Sequence, residues 1–300
     1  MLRTTGDGAL KPAITNLQIS DFREKGAVLL KSMLSPEWMD LVSEGLEVSN
    51  ANPGDMMTRA LGTGGQGRLL IDQFVSLKDD QLRKFRDESP VAAIAGTLLG
   101  SKAARFYIDQ MFYKDAGRIL PTNWHQDTPY LRMAGNDICR LWITCDPSPS
   151  TVTVRVVKGS HLWNVIYAPN PDTPEVGEVE VGAGFSYGTN EDYDQSLVPV
   201  PDIDGNPEQF EVMSWDVEPG DVLAFNGNIL HGAGGSANHP TKRRALATVW
   251  VGDDVRYRAR VGLTLPDLAQ FAGAEIADGD LLSDHENIWR AQWQQASQAA

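Results

Sequence analysis

Between residues 105 and 251 the chain is cut into short apolar runs by glycine and proline, and this rhythm restricts the fold more than any other feature. Residues 106–114 are rich in aromatic groups and suit a strand, and 139–145 and 151–157 are further strand candidates. Pro219-Gly220-Asp221 reads as a turn before the apolar run 222–225. Asn226-Gly227 is the strongest short hairpin signal and predicts a return strand over 228–232. A further strand is expected over 245–251. Regularly spaced strands with such turns predict a mainly β fold with flanking helices, a double-sheet jelly roll, with its core over about 105–260.

The residues before this core, about 15–100, read as a helical region with one short strand. Ser20 can cap a helix over 21–25 that ends at Gly26. Residues 27–30 form a short apolar strand. Ser35-Pro36-Glu37 opens a helix to about residue 48, with proline at its first position and an acid in its first turn. Ser89-Pro90 opens another over 91–99. Residues 50–67 are expected to form a loop near the site. The tail, 266–300, reads as helical, with a last helix over about 286–298. We treat the 300 residues as one domain.

The net charge of −14 is unevenly spread. Residues 164–213 hold eleven acids and no Lys or Arg, so −11 of the charge lies there. This stretch reads as a solvated insertion or as a lid, since long ordered loops in compact domains are often functional. The acidity argues against a nucleic-acid partner, and no run of eighteen apolar residues suggests a membrane span. No secretory signal core opens the chain, and Cys139 and Cys145 form no CxxC pair, so a cytoplasmic protein with reduced thiols is expected. The oligomeric state is not legible.

Chemistry concentrates in His125-Gln126-Asp127, in His231, and in Arg243-Arg244. On a strand His125 and Asp127 would point to one face. Two imidazoles and a carboxylate on one side of a metal make the facial triad of non-haem Fe(II) oxygenases. Of the other histidines, His161 sits in a turn, and His239 and His285 lie among polar residues, so His231 is the best second imidazole. An arginine on a nearby strand can grip a carboxylate in bidentate fashion. Arg243 shares its strand face with Ala245 and Ala247, which leaves room in a narrow interior, whereas Arg244 shares its face with Leu246.

The ordered set Trp124-His125-Gln126-Asp127, Leu141-Trp142-Ile143-Thr144, Val156-Val157-Lys158-Gly159-Ser160-His161, Pro219-Gly220-Asp221, His231-Gly232-Ala233-Gly234 and Arg243-Arg244-Ala245 resembles the phytanoyl-CoA dioxygenase family of Fe(II)/2-oxoglutarate oxygenases. The resemblance implies a double-stranded β-helix, the jelly-roll or cupin-like barrel. It implies His125, Asp127 and His231 as iron ligands, and Fe(II), 2-oxoglutarate and dioxygen as cofactor and co-substrates. Arg243 would hold the distal carboxylate, with Lys114, Trp142 and Thr144 lining the co-substrate pocket. The implied reaction is hydroxylation of an unactivated C–H bond of a small molecule, with release of succinate and carbon dioxide. Asp127 disfavours halogenation, because halogenating relatives carry a small residue there. Many relatives have serine where this chain has Ala233, so one hydrogen bond to the co-substrate is missing or comes from Thr144 or Ser236. Substrate contacts are expected among Tyr107, Asp109, Trp124, Tyr130, Arg132 and Arg155. The alternatives are a non-catalytic metal-binding jelly roll and an iron oxygenase that uses no 2-oxo acid.

Overall fold

The computed structural model describes residues 13–62, 66–169, 176–182, 196–260 and 265–296. Its elements run α1 (Asn16–Lys25), β1 (Ala27–Leu30), α2 (Pro36–Ala51), β2 (Thr58–Gly62), β3 (Arg68–Gln73), α3 (Val75–Lys78), α4 (Asp80–Glu88) and α5 (Val91–Leu99). Then come β4 (Ala103–Lys114), β5 (Gly117–Ile119), β6 (Thr122–His125), a 3-10 turn over Thr128–Tyr130, β7 (Met133–Ala134), β8 (Ile138–Thr144) and β9 (Val154–Val157). The rest is β10 (Val176–Val181), β11 (Val212–Ser214), β12 (Val222–Asn226), β13 (His231–Ala233), β14 (Ser236–His239), β15 (Arg243–Val251), β16 (Arg256–Tyr257), α6 (Leu268–Phe271) and β17 (Ala291–Gln294).

The strands assemble into a double-stranded β-helix. The major sheet runs β1-β12-β8-β15-β4-β3-β2-β10, with β17 also on β4. The minor sheet runs β11-β9-β13-β6. Trp142, Leu223, Phe225, Ala245 and Ala247 of the major sheet meet Val154 and Val156 of the minor sheet in one core. The opposite face of the major sheet, with Met111, Leu141, Ile143, Ala224 and Leu246, packs on Val42 and Leu46 of α2, Phe85 of α4 and Ile94 and Leu98 of α5. Each fully buried Val, Leu, Ile, Phe or Met side chain among these contributes roughly 1.5–3 kcal/mol. Strand alternation therefore separates two environments: an inner face toward the minor sheet and an outer face under helices.

Several local expectations need correction. The first helix starts earlier than residue 21, because Thr15 accepts the Gln18 backbone N–H at 3.2 Å and Gln18 accepts the Thr15 N–H at 2.9 Å, a reciprocal cap. Ser20 lies inside that helix and donates to Glu24. Residues 50–67 are not one loop: α2 continues to Ala51, and β2 pairs with β3. Hence the N-terminal region gives three strands to the major sheet rather than one. The 151–157 strand begins only at Val154.

Asn226-Gly227 does not close a hairpin. β13 pairs with β6 and β9, not with β12, so the turn carries the chain from the major to the minor sheet. Gly227 is needed for space, since a Cβ there would stand 2.3 Å from Ile138. The C-terminal helix is also overturned. Residues 291–294 form β17 against the first residues of β4, and Trp293 packs on the helix core. An open sheet edge and an indole pocket outweigh the local helix preference. α6 is a single turn.

The acidic stretch is woven into both sheets where it is described: β10 pairs with β2, and β11 with β9. Glu180, Asp204 and Glu211 each pair with a base outside the stretch, Arg59, Arg155 and Lys158 respectively. Asp172, Glu175, Glu191, Asp192 and Asp194 lie outside the described residues. Both cysteines are free, Cys139 being buried. Among the described residues no helix is long and apolar enough to cross a membrane.

Candidate metal centre and co-substrate pocket

Register brings the two imidazoles together. His125 ends β6 and His231 begins β13, and the two are directly paired. Their ring centroids are 4.2 Å apart. Asp127 arrives differently from the expectation. It lies beyond the strand, in helical backbone conformation (φ −77°, ψ −38°), and leads into the 3-10 turn. The two side chains meet because the chain turns, not because a strand alternates. The turn is fixed by Gln126, whose amide donates to the Val165 and Asn228 carbonyls and accepts from the Tyr167 N–H.

Asp127 Oδ1 lies 3.8 Å from His125 Nε2 and 3.7 Å from His231 Nε2. One ligand atom from each of the three lies within 4.8 Å of the other two. Both Nδ1 atoms face carbonyls, Asn123 at 2.8 Å and Ile229 at 3.1 Å. A carbonyl can only accept, so each Nδ1 carries the proton and each Nε2 keeps its lone pair toward Asp127. Burial holds His125 below the ordinary imidazole value. Burial, then His125, push His231 down to about 3. Burial would raise the Asp127 carboxyl, but Arg140, His231 and His125 leave it below its ordinary value. The set is therefore two neutral imidazoles and a carboxylate. Asp127 Oδ2 is buried without a hydrogen-bond partner. This donor set, with an orphaned oxygen, fits a divalent first-row metal.

A second cluster lies on the inner face of the major sheet. Lys114 and Arg243 are paired across β4 and β15. They are 1% and 5% exposed, and neither has an ion pair among the described residues. Lys114 Nζ donates to the Leu120 carbonyl at 2.6 Å. Arg243 stands over the Trp142 ring at 5.9 Å, and its Nη1 has no partner. Burial, then Arg243, hold the Lys114 ammonium well below its ordinary value. Burial brings Arg243 down to about 10. Two buried cations without an acid are costly unless an anion joins them. Ala245 and Ala247 line the same face. This pair of cations suits a carboxylate ligand.

The sequence profile described as "Phytanoyl-CoA dioxygenase (PhyH)" matches residues 22–245. The chain belongs to that family. It is 27% identical over 171 residues to the multifunctional dioxygenase prhA of Penicillium brasilianum, a match covering 56% of this chain and 42% of that protein. The chain thus matches less than half the length of that relative. Among solved structures it is similar to the non-heme alpha ketoglutarate dependent carbocyclase SnoK from nogalamycin biosynthesis (TM-score 0.63, 19% identity, 89% of this chain and 92% of that one). It is also similar to EctD from S. alaskensis with 2-oxoglutarate and 5-hydroxyectoine (TM-score 0.59, 15% identity, 93% and 88%).

The remaining expected residues divide sharply. Thr144 spends its hydroxyl on the Asp146 carbonyl at 2.6 Å and Ser148 at 3.2 Å, so it does not replace the serine missing at Ala233. Tyr130 meets His125 edge-on at 6.0 Å. Tyr107 stacks on Trp289 in a separate core. Asp109 faces the Ser76 N–H, and burial brings it up to about 6. Trp124 alternates away from His125 and lies under Arg155, which pairs with Asp204. Arg132 gives its carbonyl to the Arg258 N–H.

Sequence reasoning missed Arg140. Its Nη1 lies 2.6 Å from Asp127 Oδ1, and its Nη2 donates to Gln110 Oε1 at 2.6 Å. The signal was present: Arg140 is a charge in an apolar run and shares strand parity with Trp142.

Proposed function

We propose that the protein is an Fe(II)- and 2-oxoglutarate-dependent dioxygenase that hydroxylates an unactivated C–H bond of a small molecule. The observation that carries this reading is the pairing of Lys114 and Arg243, two buried cations without an acid among the described residues, on the major sheet, while the facing minor sheet carries His125 and His231 of the metal cluster.

His125, Asp127 and His231 would hold iron. Bound there, iron supplies the reaction of dioxygen with 2-oxoglutarate, which yields succinate and carbon dioxide and leaves one oxygen atom for the substrate. The chain's residues do the rest. The Asn123 and Ile229 carbonyls fix each imidazole tautomer. Arg243 offers its unpartnered Nη1 to the distal carboxylate, and Lys114 lies beside it. Trp142 supports the guanidinium, while Phe225 packs on His231 at 4.8 Å and excludes water. The buried ring nitrogens stay neutral at physiological pH and remain free to ligate. A carbocyclase shares this fold, so the identity of the product is part of the test.

Addition of Fe(II) and 2-oxoglutarate to metal-free protein without oxygen tests the cofactors. A visible charge-transfer band is expected, and it should vanish in Asp127→Ala and Arg243→Ala. Iron binding without a band would defeat the 2-oxoglutarate reading. With a turned-over substrate, one atom of labelled dioxygen should appear in a new hydroxyl. A ring closure or epimer without label would replace hydroxylation with another oxidation.

A further inference from the structure

Arg140 lies in the middle of β8, where Cys139 and Leu141 point into the helix-covered core. It is 6% exposed. Both of its terminal nitrogens are held, while its Nε is buried without a hydrogen-bond partner. Nη1 bonds Asp127 Oδ1 at 2.6 Å, and Nη2 bonds Gln110 Oε1 at 2.6 Å. The guanidinium also stands over Phe112 at 5.7 Å and Phe225 at 6.0 Å. Gln110 touches no member of the triad among the described contacts, but its position on β4 is set by nine paired residues of β15.

Asp127 needs such a support. It follows the end of β6, in a turn, so no strand ladder fixes its side chain. Of its carboxylate oxygens, Oδ1 has Arg140 as its hydrogen-bonding partner and Oδ2 has none. An arginine fork holds a carboxylate and an amide oxygen in one fixed planar geometry, whereas the rotatable ammonium of a lysine imposes no such geometry.

We propose that Arg140, braced by Gln110, is the positioning residue that fixes the metal-binding carboxylate of Asp127. The brace transmits the rigidity of the major sheet to the one ligand that lies outside a strand. It rests on the proposed function in one respect, that Asp127 binds a metal.

A cation beside a metal site also repels the metal, so removing the charge would mix two effects. The test therefore uses variants that keep it. Arg140→Lys retains the charge and loses the fork. Gln110→Leu leaves Arg140 intact and removes its support. Gln110→Glu keeps an acceptor for Arg140. The readout is Co(II) affinity of the full chain, followed by its visible bands, with thermal midpoints of the metal-free proteins as control.

Partners of metal ligands typically change metal affinity about 10–100-fold when lost. Arg140→Lys should bind Co(II) about tenfold more weakly or worse, with altered band intensities. Gln110→Leu should also weaken binding, by roughly threefold to tenfold on the same grounds. Gln110→Glu should bind at least as tightly as the wild type. If Arg140→Lys and Gln110→Leu are both within twofold of wild type, or if Gln110→Glu is as weak as Gln110→Leu, the brace is wrong. If one variant does not fold, the other still decides. A wild-type protein that takes up no Co(II) overturns the metal reading and the brace with it. Wild-type binding with unaltered variants overturns the brace alone.

Discussion

Arg243 and Arg244 are neighbours in sequence and opposites in environment. Arg244 points to the outer face of the major sheet, where Asp146 grips it twice, at 3.0 and 2.8 Å, and Glu47 lies at 2.9 Å. Hydrogen bonding to Asp146 raises its already high value further. Arg243 points inward, opposite Lys114, with no acid among the described residues. One arginine is complete within the fold and the other is not. The difference is informative because unpaired buried charge is expensive.

The sharpest way to break this comparison is to remove each arginine in turn. Arg243→Met should weaken 2-oxoglutarate binding to the metal-loaded protein by about 3–5 kcal/mol, at least about a hundredfold. Arg244→Met should leave that affinity within about threefold and instead lower the thermal midpoint by about 2–4 °C. Calorimetric titration and thermal unfolding of the same preparations check both halves. Equal loss of affinity in the two variants would erase the distinction.

Lys114→Met separates ligand recognition from stability. Losing a charged hydrogen-bond donor should cost about 1.5–3 kcal/mol of 2-oxoglutarate binding. The metal-free protein should be no less stable, since an apolar side chain replaces a buried, unneutralised cation. A large drop in the urea midpoint would show that Lys114 is structural.

The imidazoles give a pH dependence of definite sign. His231 is held at about 3 in the folded, metal-free protein, against about 6.5 in an unfolded chain. Between these values the unfolded state binds the proton and the folded state does not. Stability is therefore full above pH about 6.5 and falls as pH drops toward 3. At pH 5 the loss from His231 is on the order of 1–2 kcal/mol. Urea midpoints at pH 7.5 and 5.0 should fall in the wild type and fall less in His231→Gln.

The smallest effect expected is a gain. Ala233 lies two residues after His231 on β13 and is buried. Ala233→Ser should tighten 2-oxoglutarate by roughly 1.5 kcal/mol, about tenfold, by adding one hydrogen bond to a charged group. Titration of this variant beside the wild type checks it, and no change would mean that the hydroxyl does not reach the co-substrate.

How much of this was legible in the sequence follows from what is local. Aromatic and apolar runs punctuated by Gly/Pro turns made β4, β8, β12 and β15 visible, and with them the inward parity of Arg243. Partners were not visible. Nothing local says that residues 291–294 will find the edge of β4, or that Asn226-Gly227 will cross between sheets. The triad residues were readable as a set, yet the strand argument for Asp127 failed, since its turn depends on Gln126 reaching segments far away in sequence. Arg140 was missed because a charge in an apolar strand reads as an exception until its partners, Asp127 and Gln110, are known.

The central claim is that Arg243 and Lys114 await the distal carboxylate of 2-oxoglutarate. The most direct measurement compares 2-oxoglutarate with pyruvate, which lacks that carboxylate, for binding to Co(II)-loaded wild type and Arg243→Met. The account predicts that 2-oxoglutarate binds the wild type at least about a hundredfold more tightly than pyruvate, and that Arg243→Met removes most of this preference. Equal affinities for the two acids in the wild type, or a preference that survives in Arg243→Met, would contradict it.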